Sequence, residues 1–549
     1  MTPWTPRIAV AAAVAIALVP TAGAQVNRRP GTSIVIVTGG QATLPIPTLM
    51  EGAEQSVGNL DIADQLFLRL ADLGPKLQTS GDGDFVPALA RSWTRRDSVT
   101  LVFDLDPRAR WHDGTPVTAR DVVFTMGRAR NPAIAPRLSD LLRQIVSVTA
   151  EGKNRVVFRF ARPYAEQLYD ATFHVAPLPA HLLDSIPPAQ LAHSSYARRP
   201  VGSGGYRWVR NVPGQFVELA ALPGFFLGTP KIQRVIFRTA ADPAARLNLL
   251  LSGEADAMDI IPPPPDNLRR VAADSALRLI SVPSSTVGYL LFNQRDPKNR
   301  ARPHSILADI RVRRAITLAL DRRQMLQAVF GTQGVVPYGP VSQMLWIRQG
   351  APEPGGPNIT EARRLLASTG WGDSDGDGTL DREGKPLRLL LSLPNTSSIR
   401  RQMALLVQEQ LRRLGIQIEI QQLEFPIWQE RRSAGDFDVD FSGVSQDASP
   451  SGLTQSWTCT GGSNVSGYCD RTVDSLISEA MLGRGDPAET WIEALRQIEE
   501  GAPATFLYAP TFAYAVNRRY RSVTISPQSG WITLRKWSVS PDPDSHRSK

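Results

Sequence analysis

The amino-acid sequence predicts an α/β protein built from more than one domain, and three observations lead to this fold class. The chain has 549 residues, of which 42% are apolar and 21% charged. That length and composition allow several domains with a cleft between them. A strand, a helix and a second strand are indicated near residue 400, and a strand, a turn and a capped helix near residue 110.

The clearest element is a predicted βαβ unit in the second half of the chain. Alternate leucines from 387 to 393 predict a strand, and apolar residues with helical spacing follow from 399 to 414. Gly415 ends the helix, and alternate isoleucines from 416 to 420 predict the next strand. Strands joined through a helix are expected to be parallel, with a right-handed crossover.

Local signals also define elements in the first half of the chain. Residues 33–37 predict a strand, and apolar residues alternate again from 99 to 104 before the turn WHDGTP. Thr118 is predicted to cap the helix that follows, with Asp121 near the positive end of the helix dipole. Further along, an amphipathic helical segment runs from 309 to 329, and Asp321 is predicted to interrupt or restart it.

The N-terminal 24 residues have the pattern of a secretory signal peptide. Arg7 leads into an apolar run from 8 to 19, and Pro20 and small residues at 22–24 follow. The run is shorter than the roughly 20 residues that span a bilayer, which disfavours a membrane anchor. We therefore expect cleavage before Gln25 and a soluble, exported, periplasmic protein.

Export changes the interpretation of the only two cysteines, Cys459 and Cys469. In an oxidising compartment, two cysteines this close together are predicted to form a local disulfide. Metal binding and nucleophilic catalysis are disfavoured, because there is no CxxC spacing and no histidine nearby in sequence.

Composition and motifs argue against several function classes. The net charge is +9, but the basic residues are mostly scattered arginines, and no basic block or recognition motif indicates a nucleic-acid partner. The six histidines lack zinc-ligand spacing, and neither GxSxG nor GxxxxGK occurs. The glycine-rich VGSGGY at 201–206 lacks the spacing of a dinucleotide-binding loop and predicts a tight turn. No feature of the sequence specifically indicates a glycosidase.

Several collinear motifs carry a family resemblance. They are FVPALARSW, DLDPRARWHDGTPVTARDVVFT, RPVGSGGYRWV, GYLLFNQRDP with DIRVRRAITLALDRRQML, ARRLLASTGWGDSDGDGTLDREGKPLRLLL, and SNVSGYCDRTVDSLISEA. In this order they resemble the family 5 extracytoplasmic solute-binding proteins, the peptide- and nickel-binding receptors of ABC importers. The resemblance covers nearly the whole chain from about residue 33 to 541.

The resemblance implies an α/β periplasmic-binding-protein fold of the cluster C type. Two lobes would be hinged by two crossing segments, with a subdomain inserted in lobe I. The implied boundaries are 31–50, 173–285 and 508–541 for lobe I, 51–172 for the insert and 286–507 for lobe II. It further implies a non-catalytic, monomeric receptor that needs no cofactor and has the membrane subunits of an ABC permease as partners.

The resemblance places the ligand at the stretch FDVDFSGVSQDASPSG, residues 437–452. In peptide-binding relatives an aspartate of this loop pairs with the α-ammonium group, a charge-assisted contact. Asp447 is the matching residue, beside Ser445 and Gln446, although Ser449-Pro450 stands where the family often has aspartate-proline. The alternative, Asp447 as a solvated turn or Asx cap, stays open.

Two tryptophans, Trp428 and Trp457, are further candidates for the cleft, and a core position is the alternative for each. The favoured function is capture of peptides or peptide-like solutes. The alternatives are the same receptor fold for an oligosaccharide, opine or other organic solute, a secreted hydrolase, and a periplasmic sensor or chaperone. Few histidines are available for the nickel-uptake branch.

The acidic stretch DSDGDGTLDREG at 373–384 is the remaining candidate site. Its carboxylates partly follow the order of an EF-hand loop, which suggests a structural calcium ion. The candidate ligands are Asp373, Asp375, Asp377, Thr379, Asp381 and Glu383. The EF-hand glutamate is displaced to position 11 and a strand replaces the exiting helix, which disfavours a regulatory switch. A metal-free acidic turn is the alternative.

Overall fold

The computed structural model describes residues 32–50, 56–262 and 264–540. The predicted signal peptide and its cleavage site lie outside these residues. The strands, in chain order, are β1 (Ser33–Thr38), β2 (Ala71–Leu73), β3 (Phe85–Pro87), β4 (Ala90–Asp97), β5 (Thr100–Leu105), β6 (Ile145–Ala150), β7 (Arg155–Phe160), β8 (Tyr206–Val212), β9 (Phe216–Ala221), β10 (Arg234–Thr239), β11 (Ala257–Met258), β12 (Leu277–Pro283), β13 (Thr286–Phe292), β14 (Arg295–Asp296), β15 (Asn299–Pro303), β16 (Gly334–Val335), β17 (Asp381–Arg382), β18 (Lys385–Pro386), β19 (Arg388–Pro394), β20 (Gln417–Leu423), β21 (Val439–Ser445), β22 (Ala504–Asn517), β23 (Tyr520–Arg521) and β24 (Ser538–Val539).

The α-helices lie between and over these strands. In chain order they are α1 (Val57–Leu66), α2 (Ala119–Ala129), α3 (Pro136–Leu141), α4 (Gln167–Thr172), α5 (Ala180–Leu183), α6 (Ser195–Arg198), α7 (Pro243–Leu251), α8 (Pro265–Ala273), α9 (Ile310–Ala319), α10 (Arg322–Phe330), α11 (Ile359–Ala367), α12 (Ser398–Arg412), α13 (Phe425–Ala434), α14 (Leu453–Trp457), α15 (Arg471–Leu482) and α16 (Pro487–Gly501). No helix of the described ranges combines the length and the apolar character needed to cross a membrane.

One long strand, β22, joins the two halves of the main sheet. Its first residues pair with β13, from Ala504 opposite Leu291, and its last residues pair with β12, to Asn517 opposite Leu277. The sheet runs β20-β19-β21-β13-β22-β11-β1-β10-β9-β8. The β12–β13 connection crosses beside β22, where the Ser284 N–H donates to the Pro510 carbonyl (3.0 Å). These two crossing segments divide an α/β fold into two lobes.

Lobe I contains β1 and its neighbours β8 to β12, and lobe II contains β13, β19, β20 and β21. Strand β1 pairs with parallel strands at both edges and is buried on both faces, because Ile34 and Ile36 pack in one hydrophobic core and Val35 and Val37 in another. A four-stranded antiparallel sheet, β4-β5-β7-β6, shares one hydrophobic core with lobe I. We call residues 71–174, which include this sheet, the inserted segment.

The local elements predicted from the sequence are confirmed. Strands β19 and β20 are parallel and joined through α12, as the leucine and isoleucine patterns predict. The Thr118 N–H donates to the Asp121 carboxylate (2.8 Å) at the start of α2. Between α9 and α10, Asp321 restarts the helix by accepting a hydrogen bond from the Gln324 N–H (3.0 Å).

Candidate functional site

A cleft with two chambers lies around the end of β21. The first, which we call the insert chamber, has a volume of about 730 Å³ and lies between residues 140–174 and residues 444–482. The second, the hinge chamber, has a volume of about 580 Å³ and reaches Ser285 and lobe I residues within 47–50 and 60–69. Both volumes fall in the roughly 300–1,000 Å³ range of small-molecule sites. Four residues line both chambers: His174, Ser445, Gln446 and Asp447.

The main chain holds this shared wall in place. Strand β21 ends at Ser445, whose hydroxyl lies 2.7 Å from that of Ser285 on the crossing segment. The Gln446 N–H donates to the Ser285 carbonyl (2.9 Å), and the Gln446 side chain binds the backbone of residues 340 and 342. The side-chain amide of Gln446 lines both chambers, but its hydrogen bonds to the backbone of residues 340 and 342 hold the loop in place.

Asp447 is exposed within the cleft, yet protein surrounds it on several sides. Its Oδ1 accepts a hydrogen bond from the Ser449 N–H (2.9 Å), which is the Asx turn considered as an alternative. This is the one hydrogen bond to its carboxylate among the described residues. Burial raises the pKa of Asp447, with Asp170 adding to the effect, while the charges of His174 and Arg137 oppose it. The turn thus leaves Oδ2 available in the cleft.

The inserted segment supplies the opposite wall of the insert chamber. His174 Nε2 lies 3.2 Å from Oδ1 of Asp170, and the Tyr164 hydroxyl donates to Oδ2 of the same carboxylate (2.7 Å). Glu166, close by, is buried against lobe II. Sequence reasoning missed these residues, because they lie hundreds of positions from Asp447 and have no local motif.

Lobe I supplies the far wall of the hinge chamber. Asp64 on α1 forms an ion pair with Arg69 (3.0 Å) and accepts a hydrogen bond from the Ser529 hydroxyl. Burial raises the pKa of Asp64, and the neighbouring Arg69 guanidinium lowers it. Asp64 and Arg69 therefore balance each other's charge on this wall.

The two tryptophans have different positions. Trp457 lines the insert chamber but is only 2% exposed, and its ring lies edge-on to Tyr289 and Phe506 (5.6 and 5.5 Å between centroids). Trp457 is therefore packed beneath the loop and exposes little of its surface to the chamber.

Trp428 lies outside both chambers, which corrects its assignment to the cleft. Its Nε1–H donates to the buried carboxylate of Asp440 (2.7 Å). The guanidinium groups of Arg400 and Arg432 lie 5.5 and 5.9 Å from its ring centroid. The core interpretation therefore applies, because a buried carboxylate and two cations occupy the surroundings of the ring.

The acidic stretch brings together three of the six candidate metal ligands. Carboxylate oxygens of Asp373, Asp375 and Asp377 lie within 4.8 Å of one another, a spacing that fits one hard cation. Asp381 instead accepts hydrogen bonds from Ser374, through its N–H (2.8 Å) and its hydroxyl.

The remaining two candidates do not join this group. The Thr379 hydroxyl accepts a hydrogen bond from Gln417 (2.8 Å), and Glu383 lies in the β17–β18 turn with a positive φ of 54°. Asp373, Asp375 and Asp377 are thus the clustered part of the predicted set of six ligands, and the whole set stays a prediction.

The predicted disulfide between Cys459 and Cys469 is confirmed. It closes the loop that follows α14, directly after the part of the insert chamber formed by residues 444–458. The Cys459 N–H also donates to Asp474 (2.9 Å), so this segment is tied to α15 as well.

The two-lobed fold and its interlobe cleft define a solute-binding protein. The chain belongs to the bacterial extracellular solute-binding proteins, family 5, whose profile matches residues 84–467. The family confirms the resemblance carried by the sequence motifs, and it is a family of receptors outside the cytoplasm.

Individual relatives are similar over most of the chain. The oligopeptide-binding protein AppA of Bacillus subtilis is 26% identical and covers 87% of each chain. A Brucella ovis protein, described by its name as an ABC transporter peptide-binding protein, is 30% identical over 72% of each. The structure of the same AppA with a nonapeptide matches with a TM-score of 0.70 at 25% identity, covering 93% of this chain and all of that one. NikA of Brucella suis, at 19% identity and a TM-score of 0.76 over 92% of this chain and all of that one, shares the fold.

Proposed function

We propose that this protein captures peptides in the cleft between its lobes, in the periplasm, and delivers them to the membrane subunits of an ABC permease. The observation that carries the proposal is the position of Asp447, which presents a carboxylate oxygen at the junction of the two chambers. Relatives described as oligopeptide- and peptide-binding proteins support this substrate class. The protein would act as a monomer and carry out no catalysis of its own.

The chemistry of the junction suits a free amino terminus. An ammonium group beside Asp447 would replace part of the hydration that the carboxylate loses in the cleft, through a charge-assisted hydrogen bond. From that point the peptide can extend into either chamber, at about 3.3–3.6 Å per extended residue. Closure of the lobes about the crossing segments would then enclose the peptide and present a shape that a permease distinguishes from the open one.

The experiment that tests this function identifies the natural solute. Protein purified from the periplasm is denatured mildly, and the released molecules are analysed by mass spectrometry. Peptides in stoichiometric amount are the expected result. A released sugar, opine or other non-peptide solute would contradict the peptide assignment and retain the receptor.

A synthetic nonapeptide with free termini then provides a defined probe. We expect saturable binding by calorimetry and an increase in melting temperature, because a ligand of the native state stabilises it. The same peptide should be recovered intact after long incubation. Its cleavage by the purified protein, lost on heat inactivation, would favour the hydrolase and contradict the receptor.

A further inference from the structure

A buried carboxyl group, Glu166, bridges the inserted segment and lobe II. Glu166 precedes α4 and is 4% exposed. One of its oxygens accepts a hydrogen bond from the Thr79 hydroxyl of the same segment, and the other lies 2.6 Å from the Ser449 hydroxyl of lobe II. The Trp346 Nε1–H of lobe II donates in turn to the Thr79 hydroxyl (3.1 Å). Glu166 is thus bonded to lobe II both directly and through Thr79.

Packing around Glu166 brings the same two parts of the chain together. The Ala165 N–H donates to the Met481 carbonyl at the end of α15 (3.0 Å). Leu77 and Tyr169 of the inserted segment are members of a hydrophobic core that otherwise contains lobe II residues, among them Trp457. The hydrogen-bond network therefore lies within an interface, at the edge of the insert chamber, and Glu166 is almost entirely buried there.

Glu166 is also connected to the proposed peptide-binding carboxylate. Ser449, whose hydroxyl meets Glu166, donates its N–H to Asp447 Oδ1 (2.9 Å). The orientation of Ser449 consequently fixes the turn that presents Asp447 to the cleft.

The contacts of Glu166 suit a neutral carboxylic acid, because both of its oxygens meet hydroxyl groups and neither takes part in an ion pair among the described residues. The Thr79 hydroxyl accepts from Trp346, so its single hydrogen is donated to Glu166. The Ser449 hydroxyl accepts from the Ser451 N–H (3.0 Å) and lies 2.8 Å from the Ser451 hydroxyl. A neutral Glu166 can donate its proton to the Ser449 hydroxyl, which then donates to Ser451. A charged Glu166 would accept from Ser449 instead, and Ser451 would donate to Ser449. Every donor from Trp346 to Ser451 is used once in either arrangement, so it is burial without a cationic partner that favours the neutral form.

The electrostatic surroundings of Glu166 also favour its protonated form. Burial is the main cause that raises the pKa of Glu166 to about 8, and the negative charges of Asp170 and Asp447 add to it. The two hydroxyl hydrogen bonds oppose the shift. The titratable groups near Glu166 are Tyr164, Tyr169, Asp170 and Asp447, with His174 in contact with Asp170.

We propose that Glu166 is a positioning residue that acts as a neutral carboxylic acid, fastening the inserted segment to lobe II and fixing the Asp447 turn. This proposal depends on the proposed receptor function in one respect, which is that closure of the two lobes encloses the solute. When the lobes separate, Glu166 is exposed to water and its pKa returns to the ordinary value of about 4.3. At a pH between about 4.3 and about 8, closure of the lobes is therefore accompanied by the binding of one proton to Glu166.

The sign of the pH dependence follows. The closed form is fully stabilised below pH of about 4.3, where Glu166 is protonated in both forms. Above this pH the open form loses its proton first, so the closed-to-open ratio falls by up to about tenfold per pH unit. The loss is complete once the pH exceeds the closed-form pKa of about 8.

Fluorescence energy transfer between the two parts tests the proposal without any peptide. Dyes are attached at Val146→Cys on the inserted segment and Leu405→Cys on α12, both exposed positions. Transfer efficiency is measured from pH 5 to pH 9, and the closed fraction is expected to fall across this range. Glu166→Gln, whose amide can accept from Thr79 and donate to Ser449, should remain closed throughout.

Two further variants complete the experiment. Ser449→Ala should reduce the closed fraction at pH 5, because it removes the acceptor on lobe II. Glu151→Gln, an exposed carboxylate on the inserted segment that pairs with Arg96, should keep the wild-type profile. A wild-type profile that is flat, or that Glu166→Gln reproduces, would overturn the proposal. Because no solute is present, neither outcome depends on whether peptides are the ligand.

Discussion

Lobe II carries two loops with carboxylates that are supported in different ways. In the loop from 373 to 381, the aspartates accept hydrogen bonds from the loop's own backbone, such as the Gly376 N–H to Asp373 (2.8 Å), and remain exposed. The loop from 445 to 458 is held from outside, by Glu166 of the inserted segment, by the packing of Trp457 and by the disulfide after it.

This difference shows that the surroundings of a carboxylate decide its chemistry. Asp373, Asp375 and Asp377 are exposed to solvent, where water screens their charges. Asp447 lies in a cleft that raises its pKa, so an ionic partner there is worth more than at the surface. The loop with fewer carboxylates is therefore the better candidate for binding.

The largest expected effect comes from releasing the outside support of the second loop. Replacing both Cys459 and Cys469 by serine should lower the free energy of unfolding by about 2–3 kcal/mol, because the unfolded chain regains the freedom of a short closed loop. Differential scanning calorimetry measures the change as a lower melting temperature.

The reduced wild-type protein is the matched control. It should melt at the temperature of the double variant, and adding reductant to the variant should change nothing. Equal melting temperatures for the oxidised wild type and the variant would contradict stabilisation of the protein by this cross-link.

The elements that a short window of sequence encodes could be predicted. The βαβ unit and the capped start of α2 follow from alternation, helical spacing and one pair of residues three positions apart. The two cysteines predicted their disulfide because they are close in sequence and the chain is expected to be exported. The family resemblance, carried by collinear motifs, identified the two-lobed fold.

The walls of the cleft could not be predicted in the same way. Glu166, Asp170 and His174 meet the Asp447 loop only because two lobes and an insert fold together. For Trp428, the aromatic residue alone left the cleft and the core equally open. Its place became clear only from Asp440 and two arginines that the fold brings to its ring.

The second expected effect concerns the available oxygen of Asp447. Asp447→Asn should weaken binding of the free nonapeptide by about 1.5–3 kcal/mol, the range for hydrogen bonds to charged groups, or roughly 10- to 150-fold in Kd. Isothermal titration calorimetry measures the affinity. The change removes the charge while keeping a side-chain oxygen that can accept from the Ser449 N–H.

Two controls isolate the ammonium contact. An N-acetylated nonapeptide should bind the wild type and Asp447→Asn with equal affinity. Asp375→Asn in the exposed loop should leave the affinity for the free peptide unchanged. If Asp447→Asn weakens both peptides equally, the residue has a structural role in the turn and does not recognise the amino terminus.

The smallest expected effect distinguishes the two interpretations of the loop from 373 to 381. If Asp373, Asp375 and Asp377 hold calcium, a site of the weak extracellular kind, with Kd of about 10⁻⁴–10⁻³ M, stabilises the protein by about 1 kcal/mol at millimolar calcium. Chelator should then lower the melting temperature slightly, without altering the stoichiometry of peptide binding.

Asp375→Asn supplies the comparison, since it removes one of the three clustered charges and leaves the cleft unchanged. The variant should melt at the same temperature with and without chelator. A wild-type melting temperature that chelator does not change contradicts calcium binding and supports the metal-free acidic turn. The hydrogen bonds from the backbone to all three aspartates would then be sufficient to fold the loop, as they are in an Asx turn.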